Sequence, residues 1–264
     1  MRLTVDGRTI PVGRFVFPGG EVQVRIEDAA SAARARIVAR VDGSDALMAL
    51  LLLTDTVRRY YGDPAIDLVC PYLPYARQDR VAFPGEALAA AVLCRMVNAQ
   101  GYASVEVWDS HSDVSLALLD RVRNRPASDF AVGVIGTGDI VVAPDAGAVK
   151  RAGAYARLAG VPLVLAEKVR STETGAITGT VVHSEPVGAR DFVIVDDICD
   201  GGRTFIELAR VLRPLTTGRV KLYVTHGIFS AGFDVLRPGI DLVHVANPFP
   251  AELPDFVHAI QTDI

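Results

Sequence analysis

FVIVDDICDGGRTFIELARVL, Phe192 to Leu212, carries in twenty-one residues the pattern that repeats along the chain. Its first four residues, Phe192 to Val195, are apolar throughout, as a strand buried on both faces of a parallel sheet tends to be. They run into Asp196, Asp197 and Asp200, then Gly201, Gly202, Arg203 and Thr204, and then an amphipathic helical pattern to Leu212. Backbone N–H groups at a glycine turn entering a helix N-terminus form an anion site suited to a phosphate. The turn is not the nucleotide P-loop, because GxxxxGK[ST] is absent. Carboxylates beside a phosphate cradle make sense if the ligand also shows vicinal hydroxyls or a bound divalent cation. A sugar phosphate with Mg²⁺ meets each requirement. Three Asp and two Gly between 196 and 202 exceed what a capped strand–helix turn needs.

Outward from this stretch the same alternation recurs. Ala65 to Cys70, Ser104 to Trp108, Asp139 to Val142, Leu163 to Ala166 and Val220 to Val224 read as further short strands. Helical patterns lie between them: Ser44 to Tyr60 with Ser44 as N-cap, Pro84 to Asn98, Ala146 to Leu158 and Thr204 to Leu212. Alternating β and α predicts an α/β fold whose sheets are mostly parallel and flanked by helices. The alternating segment FVFPGGEVQVRI, ending at Ile26, reads as a hairpin or strand pair. Apolar periodicity lapses at RVRNRPAS, Arg121 to Ser128, which sets a boundary between two halves, residues 1–125 and 126–264.

Composition narrows the function. The 264 residues carry 27 Lys+Arg against 31 Asp+Glu, a net charge of −4, and no basic run, which argues against a nucleic-acid or anionic-membrane partner. The longest apolar run, Ala46 to Leu53, is far shorter than the ~20 residues a bilayer needs. The N-terminus lacks the apolar core of a signal peptide, and three scattered cysteines make neither a disulfide framework nor a zinc motif. A cytoplasmic protein is expected.

Ligands of open α/β sheets bind beyond the carboxyl ends of the strands. The segments there are PYLPYARQDR (71–80), DSHSD (109–113), APDAGAVKRA (143–152), EKVRS (167–171) and DDICDGGRT (196–204). Five strand ends thus deliver Arg, Gln, Asp, His, Lys and Gly.

At these segments the chain resembles the ribose-phosphate pyrophosphokinases. PYLPYARQDR is similar to the family's ATP-loop motif, APDAGAVKRA to its pyrophosphate loop PDxGxxxRA, VIVDDICDGGRT to its acidic strand end, and FPGGEVQVRI to its adenine-binding segment, in the family's order. The resemblance implies two tandem type I phosphoribosyltransferase-like domains, the N-terminal one on the ATP-loop side and the C-terminal one holding the sugar-phosphate loop. It implies Mg²⁺-dependent transfer of the diphosphoryl group of ATP to the 1-hydroxyl of ribose 5-phosphate. Phe17, Glu21, Arg77, Gln78 and Asp79 would bind ATP, and His111 and Asp145 would anchor its Mg²⁺. Asp196 and Asp197 would take the ribose hydroxyls and a second cation, and Asp200, Gly201, Gly202, Arg203 and Thr204 the 5-phosphate. Lys168, Arg170 and His111 would be catalytic, the first two in a loop running through Ser171 to Gly179 that closes over substrate. It further implies a homo-oligomer, a dimer or a dimer-built hexamer.

The chain also departs from the family pattern. About sixteen residues precede Phe17 where the family has a strand and helix, Gly19 replaces an Asp or Asn, Val169 replaces an arginine, and VAFPGEAL replaces a basic regulatory stretch. Arg203 stands where small residues normally close around a phosphate. It either fills that site or points outward to a second phosphate, which would make the acceptor a larger 5-substituted ribose such as ADP-ribose. Further alternatives are a catalytically silent scaffolding homologue and a phosphoribosyltransferase.

Overall fold

The computed structural model describes residues 1–27, 31–130, 133–170 and 177–262; the side chains of 168–170 and 177–178 lie outside that description. The chain divides into two compact units, Met1–Arg125 and Pro126–Asp263.

The first unit opens with strands β1 (Arg2–Val5) and β2 (Arg8–Ile10), followed by the hairpin β3 (Val12–Val16) and β4 (Val22–Ile26). Then come β5 (Arg34–Val38), α1 (Ser44–Tyr61), β6 (Ala65–Val69), α2 (Ala89–Asn98), β7 (Ser104–Trp108), α3 (Asp113–Leu118) and β8 (Val122–Arg125). Its six-stranded sheet has the order β2-β1-β5-β6-β7-β8, parallel from β5 to β8, while β3 and β4 form a separate two-stranded sheet. Helix α1 buries Ala46, Leu50, Leu53 and Val57 on one face and ends at Gly62, whose φ of 78° supplies the left-handed cap. Ser44 is its first helical residue rather than its cap: Gly43 holds that position and no side chain caps the helix. The helix expected from Pro84 begins only at Ala89. Glu86 accepts the N–H groups of Ala82 and Phe83, and Gly85 takes φ 94°, so this segment is held as a turn.

The second unit runs β9 (Ile140–Ala143), α4 (Val149–Ala159), β10 (Leu163–Arg170), β11 (Ile177–Val182), β12 (Phe192–Cys199), α5 (Arg203–Leu212), β13 (Val220–Gly227), β14 (Leu242–Pro248) and β15 (Val257–Ala259). The order is β11-β10-β9-β12-β13-β14-β15, parallel except at the β11 edge. All eight residues of β13 are buried, as expected of a strand covered on both faces. Helix α5 lays Phe205, Leu208, Ala209 and Leu212 onto the sheet at helical spacing.

Two strands outrun their expected ends. Both β10 and β12 leave β9 near Val142–Ala143 but keep a partner on the other side, β11 and β13 respectively, which satisfies their backbone further along. Lys168 and Arg170 therefore lie on a β-hairpin, not in a loop after the strand, and Asp196 and Asp197 lie within β12 itself.

At the opposite, amino end of this sheet Lys221 is buried between Asp191 (2.8 Å) and Asp139 (3.1 Å), with Arg219 also on Asp191. Burial pushes the Asp191 carboxyl up, but the Arg219 N–H and Lys221 outweigh it and hold it below the ordinary value of 3.8. Its share of stability is thus present above about pH 4 and lost as pH falls through the lowered native value. Lys221→Met strands the buried carboxylates at a cost of about 3–5 kcal/mol. Calorimetry should show the melting temperature reduced by roughly 10 °C at pH 7, with the gap narrowing below pH 4.

Candidate active site

After β9 the chain crosses through α4 to β10 on one side, then places β12 on the other side of β9, so the strand order switches there. In an open α/β sheet the ligand crevice lies at this point, outside the carboxyl ends of the strands. One wall is the loop after β9, where Asp145 caps a short 3₁₀ turn by accepting the Gly147 N–H at 3.1 Å. The other is the end of β12, whose pairing with β9 stops at Ile194 while pairing with β13 continues to Cys199. Arg151, in the first turn of α4, spans the two: Nη1 lies 3.4 Å from Asp196 Oδ1 and Nη2 3.7 Å from Asp197 Oδ2. A cleft of about 530 Å³, lined by Asp145, Gly147, Val149, Leu165 and Glu167 among others, opens beside the same loop.

Beyond Cys199 the chain turns through Asp200, Gly201 and Gly202 into α5. Gly202 adopts φ 76°, and a Cβ there would meet Leu236 Cδ2 at 2.8 Å, so glycine is required on both counts. The N–H groups of Phe205 and Ile206 return to the Gly202 carbonyl; those of the first turn before them have no intrahelical acceptor. A loop after β13 braces the turn. Ile228 and Phe229 donate their N–H groups to the Cys199 carbonyl, and Ser230 Oγ donates to Asp200 Oδ1 at 2.5 Å. Arg203 does not fold into the turn. Its side chain is 81% exposed and bonds Glu207 Oε1 at 2.8 Å, one helical turn on, while Thr204 is half-buried.

Burial raises the Asp196 carboxyl well above its usual range, and the neighbouring Asp197 charge adds to it, against the opposing pull of Arg151. Burial likewise pushes the Cys199 thiol up to about 12, which makes it inert beside the acidic residues. Lys168 lies opposite Thr180 in the β10–β11 register and Arg170 opposite Ile177. Their side chains, and residues 171–176 of the expected closing loop, lie outside the described residues.

The other sequence-selected residues belong to the first unit. Phe17 and Glu21 sit exposed at the β3–β4 turn, closed by Phe17 N–H to Glu21 O at 2.8 Å, with Phe17 edge-on to Phe15. The Glu21 carboxylate lies 2.5 Å from where a Cβ on Gly19 would be, so a side chain at 19 would displace it. Arg77 and Gln78 are exposed after β6, and the Gln78 carbonyl receives the Ala90 N–H. Asp79 accepts Ser112 Oγ–H at 2.6 Å, tying the ARQDR segment to the DSHSD loop that presents His111 to solvent. His111 and Asp145, expected to share one Mg²⁺, belong to separate units.

Sequence reading passed over two residues that the fold brings into the crevice. Arg151 lies inside the quoted APDAGAVKRA segment, and its position as the third residue of α4, just after the capped 3₁₀ turn, puts a cation where a helix dipole disfavours one. Ser230 gave no such signal, since only the β12–β13 pairing brings it to Asp200.

The raised Asp196 carboxyl fixes a sign. A native value above the unfolded 3.8 means stability present below about pH 4 is lost as pH rises through the raised value. Asp196→Asn should therefore melt higher than the parent at pH 7 and equal to it near pH 4, while losing function. Calorimetry across that range checks it; a variant melting lower at pH 7 contradicts the charge arrangement described.

Comparison with known proteins bears on the family and the fold. The family model described as the N-terminal domain of ribose phosphate pyrophosphokinase matches residues 4–101, and that of the phosphoribosyl transferase domain matches 130–232. The chain is 32% identical over 240 residues to the ribose-phosphate pyrophosphokinase of Pyrococcus furiosus, covering 89% of this chain and 84% of that one. It is 34% identical over 194 residues to that of Ureaplasma parvum serovar 3, covering 71% of this chain and 58% of the relative. The crystal structure of phosphoribosylpyrophosphate synthetase from Mycobacterium smegmatis superposes with a TM-score of 0.81 at 25% identity, over 97% of this chain and 87% of that one. The chain belongs to the ribose-phosphate pyrophosphokinase family of diphosphokinase-type transferases.

Proposed function

We propose that this chain transfers the diphosphoryl group of ATP to the anomeric 1-hydroxyl of ribose 5-phosphate, giving phosphoribosyl pyrophosphate and AMP. The observation that carries the reading is the acidic end of β12 at the switch point, followed at once by the glycine turn into α5. Asp196 and Asp197 accept from the ribose hydroxyls, and the N–H groups of residues 201–204 hold the 5-phosphate. That leaves the 1-hydroxyl directed to the crevice. Its oxygen attacks the β-phosphorus, the bond from that phosphorus to the α-bridging oxygen breaks, AMP departs with the bond electrons, and the hydroxyl proton is released. Arg77, Gln78, Asp79, Phe17 and Glu21 hold the adenine nucleotide in this reading. Lys168 and Arg170 neutralise charge on the diphosphate in transit.

The donor chemistry fits Mg²⁺. Asp145, Asp196 and Asp197 are hard oxygen donors, and no three His, Cys, Asp or Glu groups converge into a cage among the described residues. Mg²⁺ characteristically takes one or two carboxylates and completes its shell with water and substrate phosphates. When bound it offsets the charge that develops on the phosphoryl oxygens.

Three buried free cysteines support a reducing, cytoplasmic setting, and none of the described helices is long and apolar enough to cross a membrane. The exposed Phe15, Val16 and Phe17 of the β3–β4 hairpin support assembly into a homo-oligomer.

Arg203 favours a second reading of the acceptor. Its outward, solvent-facing position leaves the 5-phosphate turn free and sets a bidentate donor just outside it, where a 5-diphosphate such as that of ADP-ribose would reach. Incubation with Mg²⁺–ATP and either acceptor, following AMP by chromatography, separates the readings. Ribose 5-phosphate should yield AMP with Arg203→Ala altering it little. Preferential turnover of ADP-ribose, reduced about 10-fold or more by Arg203→Ala, would establish the larger acceptor. No AMP with either would make the chain a silent scaffold.

A further inference from the structure

The glycine turn after β12 leans on a second loop, and that loop contains a strained residue. Among the described residues, those other than glycine with positive φ are Asp6, Asp63, Tyr75, Asp109, Arg121 and Phe229. Aspartate tolerates the left-handed region, whereas a bulky side chain there is a true outlier. Tyr75 and Arg121 are exposed; Phe229, at φ 52°, is buried. Its surroundings hold it in that conformation. The ring lies over Gly227, where any Cβ would collide with it, and packs on Phe233 with 4.8 Å between ring centroids. The Gly232 N–H closes onto the Phe229 carbonyl at 2.9 Å. Strain of this kind persists only where neighbours over-determine it, and it gathers at functional sites.

The reversal at Phe229 has a local result. It aims the N–H groups of Ile228 and Phe229 at one carbonyl, that of Cys199, at 2.8 and 3.1 Å. It also brings Ser230 Oγ to 2.5 Å from Asp200 Oδ1. Further along the same loop, Val235 and Leu236 fill the space that a side chain on Gly202 would need. Residues 228–236 thus grip the turn at Cys199, Asp200 and Gly202. Backbone N–H groups hold a phosphate only if they converge on it, so whatever shapes such a turn also sets its affinity.

We propose that the 228–236 loop is the template of the sugar-phosphate turn, with Phe229 and Ser230 as positioning residues that set the affinity for the ribose 5-phosphoester. Phe229 aims the loop, and Ser230 orients Asp200 and the turn that follows it. Neither side chain touches the substrate. This rests on the reading of residues 200–204 as the 5-phosphate turn.

The experiment is calorimetric titration of the full chain with ribose 5-phosphate and, separately, with ATP, both in Mg²⁺, for the parent, Ser230→Ala, Ser230→Thr and Phe229→Ala. Ser230 is exposed, so its variants should melt close to the parent. Ser230→Ala should weaken ribose 5-phosphate by about 5-fold and leave ATP unchanged, and Ser230→Thr, which keeps the hydroxyl, should restore it. Phe229→Ala should weaken the sugar by about 10-fold or more. A merely structural role predicts a lower melting temperature with unchanged affinity for the sugar. Parent-like sugar affinity in Ser230→Ala, ATP weakened in step with the sugar, or Ser230→Thr behaving as Ser230→Ala would each overturn the template while leaving the turn's own reading intact. A parent chain that does not bind ribose 5-phosphate would overturn both. Should Phe229→Ala fail to fold, the two Ser230 variants decide the matter.

Discussion

Everything at the candidate site depends on an asymmetry in backbone pairing around β9. Strand β9 spans only four residues, whereas β12 continues for eight and β10 for eight, each held past the end of β9 by its other neighbour. A notch is left between two longer strands. Pairing with β13 continues along the β12 extension, so Asp196 and Asp197 stand on a strand rather than on a loop. The same pairing seats the loop after β13 beneath the glycine turn, through Cys199 and Ser230. A functional group held on a strand keeps its geometry better than one on a connecting segment.

The two ends of the second sheet show how one fold separates stability from function. At the amino end the buried charges are closed into direct contact. At the carboxyl end adjacent carboxylates are forced together, and burial and mutual repulsion hold the Asp196 carboxyl up. Local destabilisation of this kind is what a binding site requires, because its groups must be better satisfied with ligand than without. The extra stability comes from elsewhere, chiefly the fully buried interior strand β13 and the apolar face of α5.

How legible this was in the sequence differed by element. Strands β6, β7, β9, β12 and β13 and helices α1, α4 and α5 were readable from runs of apolar residues and helical spacing, because burial on both faces leaves a strong signal. Strands β5 (RARIV) and β8 (VRNR) were not, since their exposed arginines break the apolar run and only pairing with β6 and β7 makes them strands. Strand lengths were underestimated at β10 and β12 because charged residues there look like loop, and the partners that extend them are distant in sequence. Within the site, the acidic and glycine residues of 196–204 were evident as chemistry. Arg151 and Ser230 acquire their place only from which strands are neighbours, a long-range property that local pattern does not encode.

The central claim is that the β12 end and the glycine turn together receive a ribose 5-phosphoester. A crystal structure of the chain with Mg²⁺ and ribose 5-phosphate tests it most directly. The account predicts ribose hydroxyls on Asp196 and Asp197 and the 5-phosphate on the N–H groups of residues 201–204. A sugar phosphate bound elsewhere, with the acidic pair and the glycine turn unoccupied, would contradict it.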